Sequence, residues 1–312
     1  MSQWLVTGAA GMLGRDLVTV LERSGEAVTG LTRRDLDITD GEAVRAALEH
    51  WRPAIVVNCA AWTAVDAAET AEGAALRLNG QAVADLAAAC AVAGVSLIQP
   101  STDYVFDGRA RRPYAEDDIP SPGTAYGRSK LAGEQAVLER LAGCGYVVRT
   151  AWLYGEHGAS FVRTMIRMER ERPTVDVVDD QRGQPTWTMD VADRIVALVR
   201  SGARAGVYHA TSSGETTWFG LAREVFRLLG ADPDRVRPVG SAAYPRPAPR
   251  PAYSVLGHDA WSRAGLKPIG DWRLALGQAF PALAAAAGTG PGRAQDVFPT
   301  VRHGTRITNE TL

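Results

Sequence analysis

Tyr126 and Lys130 stand four residues apart in Tyr126-Gly127-Arg128-Ser129-Lys130, a spacing that puts both side chains on one face of a helix. A phenol in that setting is a potential proton donor. Its pKa is ordinarily about 10, and a neighbouring ammonium draws it down toward the range in which general acid–base chemistry works. The chain has only two lysines, Lys130 and Lys267, so a lysine at this place is informative. Some twenty-four residues upstream, an apolar run leads into Pro100-Ser101-Thr102-Asp103-Tyr104-Val105-Phe106-Asp107-Gly108. This segment predicts hydroxyls at the carboxyl edge of a parallel sheet, where such sheets bind ligands. The Thr102 hydroxyl could hydrogen-bond a ketone oxygen there.

A proton donor beside a ketone needs a hydride source, and the amino-terminal segment offers a place for one. Thr7-Gly8-Ala9-Ala10-Gly11-Met12-Leu13-Gly14 follows a first strand and opens a helix, whose free amides and positive dipole end suit a pyrophosphate. Gly8 permits the tight turn, Gly11 lets phosphates approach the backbone, and Gly14 lets the helix pack closely on the sheet. At the end of the second strand, Arg33 and Arg34 favour the 2′-phosphate of NADPH, where an acidic residue would favour the ribose hydroxyl of NADH. Asp37 and Ile38 are placed to contact adenine. Ala60, Ala61, Trp62 and Thr63, after the third strand, are placed to let a cofactor pass. Each motif alone is common; their joint order along the chain is far more specific.

The elements that must carry these groups follow from hydrophobic periodicity. Strands are predicted at Trp4–Thr7, Ala27–Leu31, Ile55–Asn58, Ser96–Gln99 and Tyr146–Thr150. Helices are predicted at Leu13–Arg23, Glu42–His50 (capped by Thr39 or Asp40), Ala71–Ala93 and Ser129–Leu141. This alternation implies a doubly wound α/β fold, a parallel-sheet (Rossmann) dinucleotide-binding domain. Beyond Thr150 the rhythm loosens, with helices at Phe161–Arg170, Val191–Arg200, Leu221–Leu229 and Trp272–Ala285 and short strands at Val175–Val178 and Val207–Ala210. The expected division is residues 1–150, to which 187–212 return, against a smaller α/β substrate domain from 151–186 and 213–287. The proline-rich stretch Tyr244–Pro251 is expected to cross the surface as an extended loop, and residues 288–312 to form a flexible tail.

Composition narrows the functional classes. A net charge of −1 gives no field to hold nucleic acid or an anionic membrane, so neither is expected as a partner. No apolar stretch reaches the ~20 residues needed to cross a bilayer, and the start lacks a secretory pattern, so a soluble, cytoplasmic protein is expected. Cys59, Cys90 and Cys144 are odd in number and lack metal-type spacing, so they read as small reduced hydrophobes.

Taken together, the phosphate turn, the strand-end hydroxyls and Tyr-x-x-x-Lys closely resemble the dTDP-4-dehydrorhamnose reductase family of extended short-chain dehydrogenases. The likeness runs from the amino terminus to about Phe280. It includes Asn58–Asp66, Ser101–Gly108, Arg149–Gly155, Asp180–Thr186 and Arg250–Leu256.

The resemblance implies reduction of the C4 ketone of dTDP-4-dehydro-6-deoxy-L-mannose to dTDP-L-rhamnose by NADPH or NADH. In that reaction Thr102 polarises the ketone, Tyr126 delivers the proton, and Lys130 tunes Tyr126 and holds the cofactor. It further implies that Thr102, Asp103, Val105, Phe106, Trp152, Arg250 and Ser254 bind the nucleotide sugar, with Arg250 on the diphosphate. Some relatives dimerise through magnesium held by two glutamates. Asp16 and Met189 occupy those places here, so no bridging metal is expected, and a monomer or weak homodimer is. Two alternatives stay open: a related hexulose reductase of antibiotic or aminoglycoside sugar assembly, and a non-catalytic dinucleotide-binding subunit like the β subunit of methionine adenosyltransferase.

Overall fold

The computed structural model describes residues 3–288, so the expected tail from 288 onward lies, apart from Gly288 itself, outside the described residues. Five strands and their crossover helices open the chain: β1 (Gln3–Thr7), α1 (Met12–Arg23), β2 (Ala27–Leu31), α2 (Gly41–Trp51) and β3 (Ile55–Asn58) come first. After them run α3 (Val65–Thr70), α4 (Glu72–Leu76), a π-helical turn at Arg77–Gln81, α5 (Ala82–Ala93), β4 (Ser96–Thr102), α6 (Ala125–Arg140) and β5 (Gly145–Thr150).

Four short strands and two helices follow: β6 (Leu153–Tyr154), α7 (Phe161–Glu171), β7 (Val175–Val178), β8 (Arg182–Gly183), β9 (Thr186–Trp187) and α8 (Thr188–Arg200). The remainder comprises β10 (Gly206–His209), β11 (Thr216–Thr217), α9 (Trp218–Leu228), β12 (Val236–Val239), α10 (Asp259–Arg263) and α11 (Trp272–Gly288).

Six strands form one parallel sheet in the order β10-β5-β4-β3-β1-β2. Because side chains alternate across a strand, Trp4 and Val6 face one layer of helices and Leu5 the other. The first layer gathers Leu13, Leu17, Val20 and Leu21 of α1 with Val191, Ile195 and Val196 of α8. The second gathers Val44 and Leu48 of α2, Val83 and Leu86 of α5, and Val137 of α6. The chain leaves β1 toward β2 and returns to its other side as β3, so the crevice where the strand order reverses opens beside the glycine turn. A separate core, built from α7, α9 and α11 over β7 and β12, supports the lobe that faces that crevice.

Several expected boundaries differ for physical reasons. Strand β4 runs through Pro100 to Thr102, three residues past its expected end at Gln99, although proline has no amide to donate; the Pro100 carbonyl is instead used by two side chains. Helix α6 starts at Ala125, not Ser129, because Thr124 caps it by accepting from the Gly127 amide. Helix α2 is capped by Asp40 rather than Thr39. The expected helix Ala71–Ala93 is interrupted by the π turn, and α3 precedes it. The proline-rich stretch is a loop with Pro245, Pro247 and Pro249 exposed, pinned at Ala248, which is fully buried and whose amide donates to Asp66 of α3.

No described helix is long and apolar enough to cross a membrane.

Candidate functional site

A chain of hydrogen bonds fixes the carboxyl edge of the sheet. The Thr7 hydroxyl donates to Asn58 (2.6 Å), the Asn58 amide donates to Gln99 (2.8 Å), and the Gln99 amide donates to the Pro100 carbonyl (3.0 Å). The Lys130 ammonium donates to the same carbonyl at 2.7 Å, which ties α6 to β4. These groups are buried, so each unmade bond would be costly, and the edge is held rigid.

The glycine turn fits a dinucleotide by what its residues lack. Gly8 has φ +63°, and a Cβ there would meet the Ala60 amide at 2.5 Å; a Cβ on Gly14 would strike the Gly8 carbonyl. Helix α1 therefore starts against the turn with its first amides open toward the crevice, a cradle shaped for a pyrophosphate. Substituting Gly14→Ala is expected to cost about 1–3 kcal/mol of stability. It should also shrink the rise in Tm that saturating NADPH produces; a rise equal to that of the unaltered protein would contradict this role for the turn.

The crevice has two lobes. One, about 550 Å³, is lined by Gly11, Met12, Leu13 and Gly14 at the turn and by Thr102, Asp103, Tyr126 and Lys130 opposite; Ala61, Thr63, Trp152 and Arg250 also border it. The other, about 730 Å³, is lined by Gly8, Arg33, Asp37, Ile38, Ala60 and Trp62. Arg34 lines neither; it is exposed, in a turn closed by the Thr32 hydroxyl on its amide and by Asp35 on the Thr32 amide.

Val105 and Phe106 do not line the crevice either. The short 3-10 turn Asp103–Val105 rotates them inward, where Phe106 stacks on Tyr114 at 4.2 Å and both join a satellite core. Ser254 is buried behind the wall against Asp103, and its hydroxyl favours the ionised form of that carboxyl. Arg250 borders the crevice with its guanidinium on Asp66 at 2.8 Å, and Arg246 shares that carboxylate at 3.4 Å.

Electrostatics divide the reacting groups. Burial raises the Tyr126 phenol well above its ordinary value, with the Thr102 hydroxyl pulling weakly the other way, so the phenol keeps its proton throughout the neutral range. The expectation that Lys130 lowers Tyr126 is not met in this geometry, where the ammonium is turned to Pro100 and is itself lowered to about 8 by burial. Burial also raises Asp103 to about 6, against the stabilising hydroxyls of Ser254 and Thr102. The Thr102 hydroxyl donates to Asp103 at 3.0 Å, and Tyr104 meets the Tyr126 ring edge-on at 5.7 Å. The arrangement can hold a proton on a phenol, beside a hydroxyl and a titratable carboxyl, in a crevice that also borders a phosphate turn.

Residues outside the sequence-based candidates complete the site. Asn79, in the π turn, accepts from the Trp62 amide (2.8 Å) and donates to the Trp62 carbonyl and the Ser129 hydroxyl (both 3.0 Å). It thus clamps the loop after β3 to the helix of Tyr126. Trp152, at φ +48°, stacks on Trp218 at 3.5 Å, and Gly183 leaves room for its ring. Trp218, Tyr244 and Arg246 line the first of the two lobes of the crevice, with Tyr126 and Lys130. Only an aromatic pattern at the start of a helix marks Trp218 in the sequence; nothing local marks Asn79.

The Asp16 carboxylate is turned inward, accepting from Thr188 of α8 at 2.5 Å, and Met189 is partly buried against the core. Among the described residues no cluster of three or more His, Cys, Asp or Glu side chains could hold a metal ion. The three cysteines are free, and burial lifts Cys59 and Cys90 to about 12.

Comparison with known proteins bears on this geometry. The family model described as "RmlD substrate binding domain" matches residues 2–284. The chain is 60% identical to a "dTDP-4-keto-6-deoxy-D-glucose reductase" of Streptomyces niveus, over 90% of this chain and 97% of that protein. It is 58% identical to a dTDP-4-dehydrorhamnose reductase of Streptomyces griseus, over 92% and 95%. Among solved structures, a dTDP-4-dehydrorhamnose reductase of Bacillus anthracis in complex with NADP superposes with a TM-score of 0.86 at 35% identity, covering 90% of this chain and 99% of that one.

Proposed function

The chain belongs to the dTDP-4-dehydrorhamnose reductase family, and on that premise we propose that it reduces the C4 ketone of dTDP-4-dehydro-6-deoxy-L-mannose to dTDP-L-rhamnose with NADPH, Tyr126 being the proton donor. The observation that carries this reading is the single crevice that joins the glycine turn to Thr102, Tyr126 and Lys130.

When bound, the dihydronicotinamide supplies the hydride. Gly8 and Gly11 would hold its pyrophosphate while Gly14 keeps α1 close against the turn, and Lys130 is within the crevice to take a ribose hydroxyl. Tyr126 donates to the sugar oxygen as negative charge develops on it, and the phenol proton ends on that oxygen; Thr102 would add a second hydrogen bond by turning its single proton from Asp103 to that oxygen. Asp103 accepts from Thr102 and sets its orientation. Trp152, stacked on Trp218, gives the sugar a flat apolar wall, and Arg250 with Arg246 offers the diphosphate two guanidiniums. Confinement of the reactants in one geometry is the larger part of the rate gain.

A second reading has specific support: relatives at 60% and 58% identity are named for reduction of dTDP-4-keto-6-deoxy-D-glucose and as a probable 4-ketoreductase of a methyloxanone sugar, both from Streptomyces. The same site would then act on a hexulose of different ring configuration. One assay separates the readings: purified protein, NADPH or NADH, and dTDP-4-keto-6-deoxyglucose with or without a 3,5-epimerase, followed by assignment of the product's stereochemistry. Turnover that depends on the epimerase and yields the L-rhamno product supports the first reading. Turnover without it supports the second, and cofactor binding with no turnover in either mixture supports a non-catalytic subunit.

The pH profile of kcat/KM is expected to be bell-shaped. It should fall as pH drops through about 6, where Asp103 takes up a proton, and as pH rises through about 8, where Lys130 gives one up. Tyr126 contributes no limb in that range. Asp103→Asn should abolish the acid limb and keep the alkaline one; an acid limb that persists in the variant contradicts the assignment.

A further inference from the structure

The adenine-side lobe has two arginines on its lining, and only one of them comes from the second strand. Arg33 follows β2, whereas Arg77 opens the π turn on the other side, with Ala74 and Leu78 on the same helical face. Neither guanidinium forms an ion pair among the described residues. Each acidic group of the facing turn has one oxygen engaged locally: Asp35 Oδ2 accepts from the Thr32 amide and hydroxyl, and Asp37 Oδ1 from the Thr39 amide and hydroxyl. The lobe therefore presents two cations from separate walls beside one carboxylate, Asp37, whose Oδ1 is already taken by Thr39. Leu36, Ile38 and Leu78 give the same lobe apolar surface for a flat base.

Resting on the reading of this chain as a dinucleotide-dependent reductase, we infer that Arg77 is a specificity-determining residue that closes with Arg33 on the 2′-phosphate of NADPH. A phosphate dianion gains charge-assisted hydrogen bonds from both guanidiniums, and a bare 2′-hydroxyl gains little from either. The interruption of the helix contributes directly. The wider π turn seats Asn79 in the Trp62 clamp and Arg77 and Leu78 on the lobe, where π turns in other proteins also concentrate at functional sites.

The test is direct binding of NADPH and of NADH to the intact protein, read by calorimetry or tryptophan quenching, for the unaltered protein, Arg77→Ala and Arg77→Lys. Arg77→Ala is expected to weaken NADPH roughly ten-fold, the scale of one lost hydrogen bond to a charged group, and to leave NADH within about two-fold. Arg77→Lys, which keeps the charge without the fork, should fall between, and added salt should narrow the gap between the two cofactors. The inference is overturned if Arg77→Ala leaves NADPH unchanged, if it weakens both cofactors alike, or if the unaltered protein binds the two equally. Failure of the unaltered protein to bind either one is a different result, and overturns the reductase reading itself.

Discussion

Replacing Tyr126 by Phe is expected to lower kcat by roughly 10²–10⁴-fold, the usual contribution of a positioned general acid, while the Kd for NADPH stays within about two-fold. The substitution removes one oxygen and keeps the ring that packs edge-on against Tyr104 within the small cluster of Ala68, Ala75 and Ala125. The cofactor's anchors, the glycine turn and Lys130, are untouched. A loss of NADPH affinity equal to the loss of rate would make Tyr126 a binding residue, and a near-normal kcat would move the proton donor elsewhere. Thr102→Val makes a useful companion, because it removes the hydroxyl whose one proton rests on Asp103 and would turn to the sugar oxygen.

The second large effect is on stability. Arg149 of β5 and Glu134 of α6 are 3% and 1% exposed and meet at 2.7 Å, with a second contact from the Arg149 Nε at 3.0 Å. The same guanidinium lies over the Phe106 ring and beside His209, which burial and the Arg149 charge depress to about 3 and so keep neutral. Removing one partner leaves a buried charge with no counterion. Glu134→Leu is therefore expected to cost about 3–5 kcal/mol, measured by denaturant unfolding. The double variant Glu134→Leu/Arg149→Leu should recover much of that loss, since an apolar pair replaces an ionic one. A double variant less stable than the single would show that the pair contributes net stability. Because α6 carries Tyr126 and Lys130, the single variant should lose activity before it unfolds.

What the sequence makes legible is what depends on local spacing. The glycine turn is read from three residues and a preceding strand, and the Tyr126–Lys130 pair from one helical turn, so both could be assigned without tertiary knowledge. Residues after a strand end are harder, since the direction of each side chain depends on how the chain turns. The 3-10 turn after Thr102 sends Val105 and Phe106 into a core beneath the site, although they adjoin Asp103, which borders the crevice. The same holds for Arg33 and Arg34: adjacent in sequence, they differ in that only the first reaches the lobe.

Residues whose roles are purely tertiary leave no local trace. Asn79 acts across 17 residues on Trp62 and across 50 on Ser129, and a helical period through Ala71–Ala93 gives no sign of the π turn that puts it there. Arg246 is hidden for a similar reason, in a proline-rich stretch that reads as surface until Asp66 is seen to hold it. The ionisation of Tyr126 is a further example. Spacing alone argues for a lowered phenol, whereas burial, which no spacing reveals, dominates and raises it.

The most direct test is the fate of the transferred hydrogen. With NADPH deuterated at the transferring face of nicotinamide C4, NMR of the sugar product should show one deuterium, at hexose C4, and a single configuration there, with the hydroxyl proton drawn from solvent through Tyr126. A product without deuterium at C4, or a keto sugar recovered unchanged from protein that has bound NADPH, would contradict reduction at this crevice.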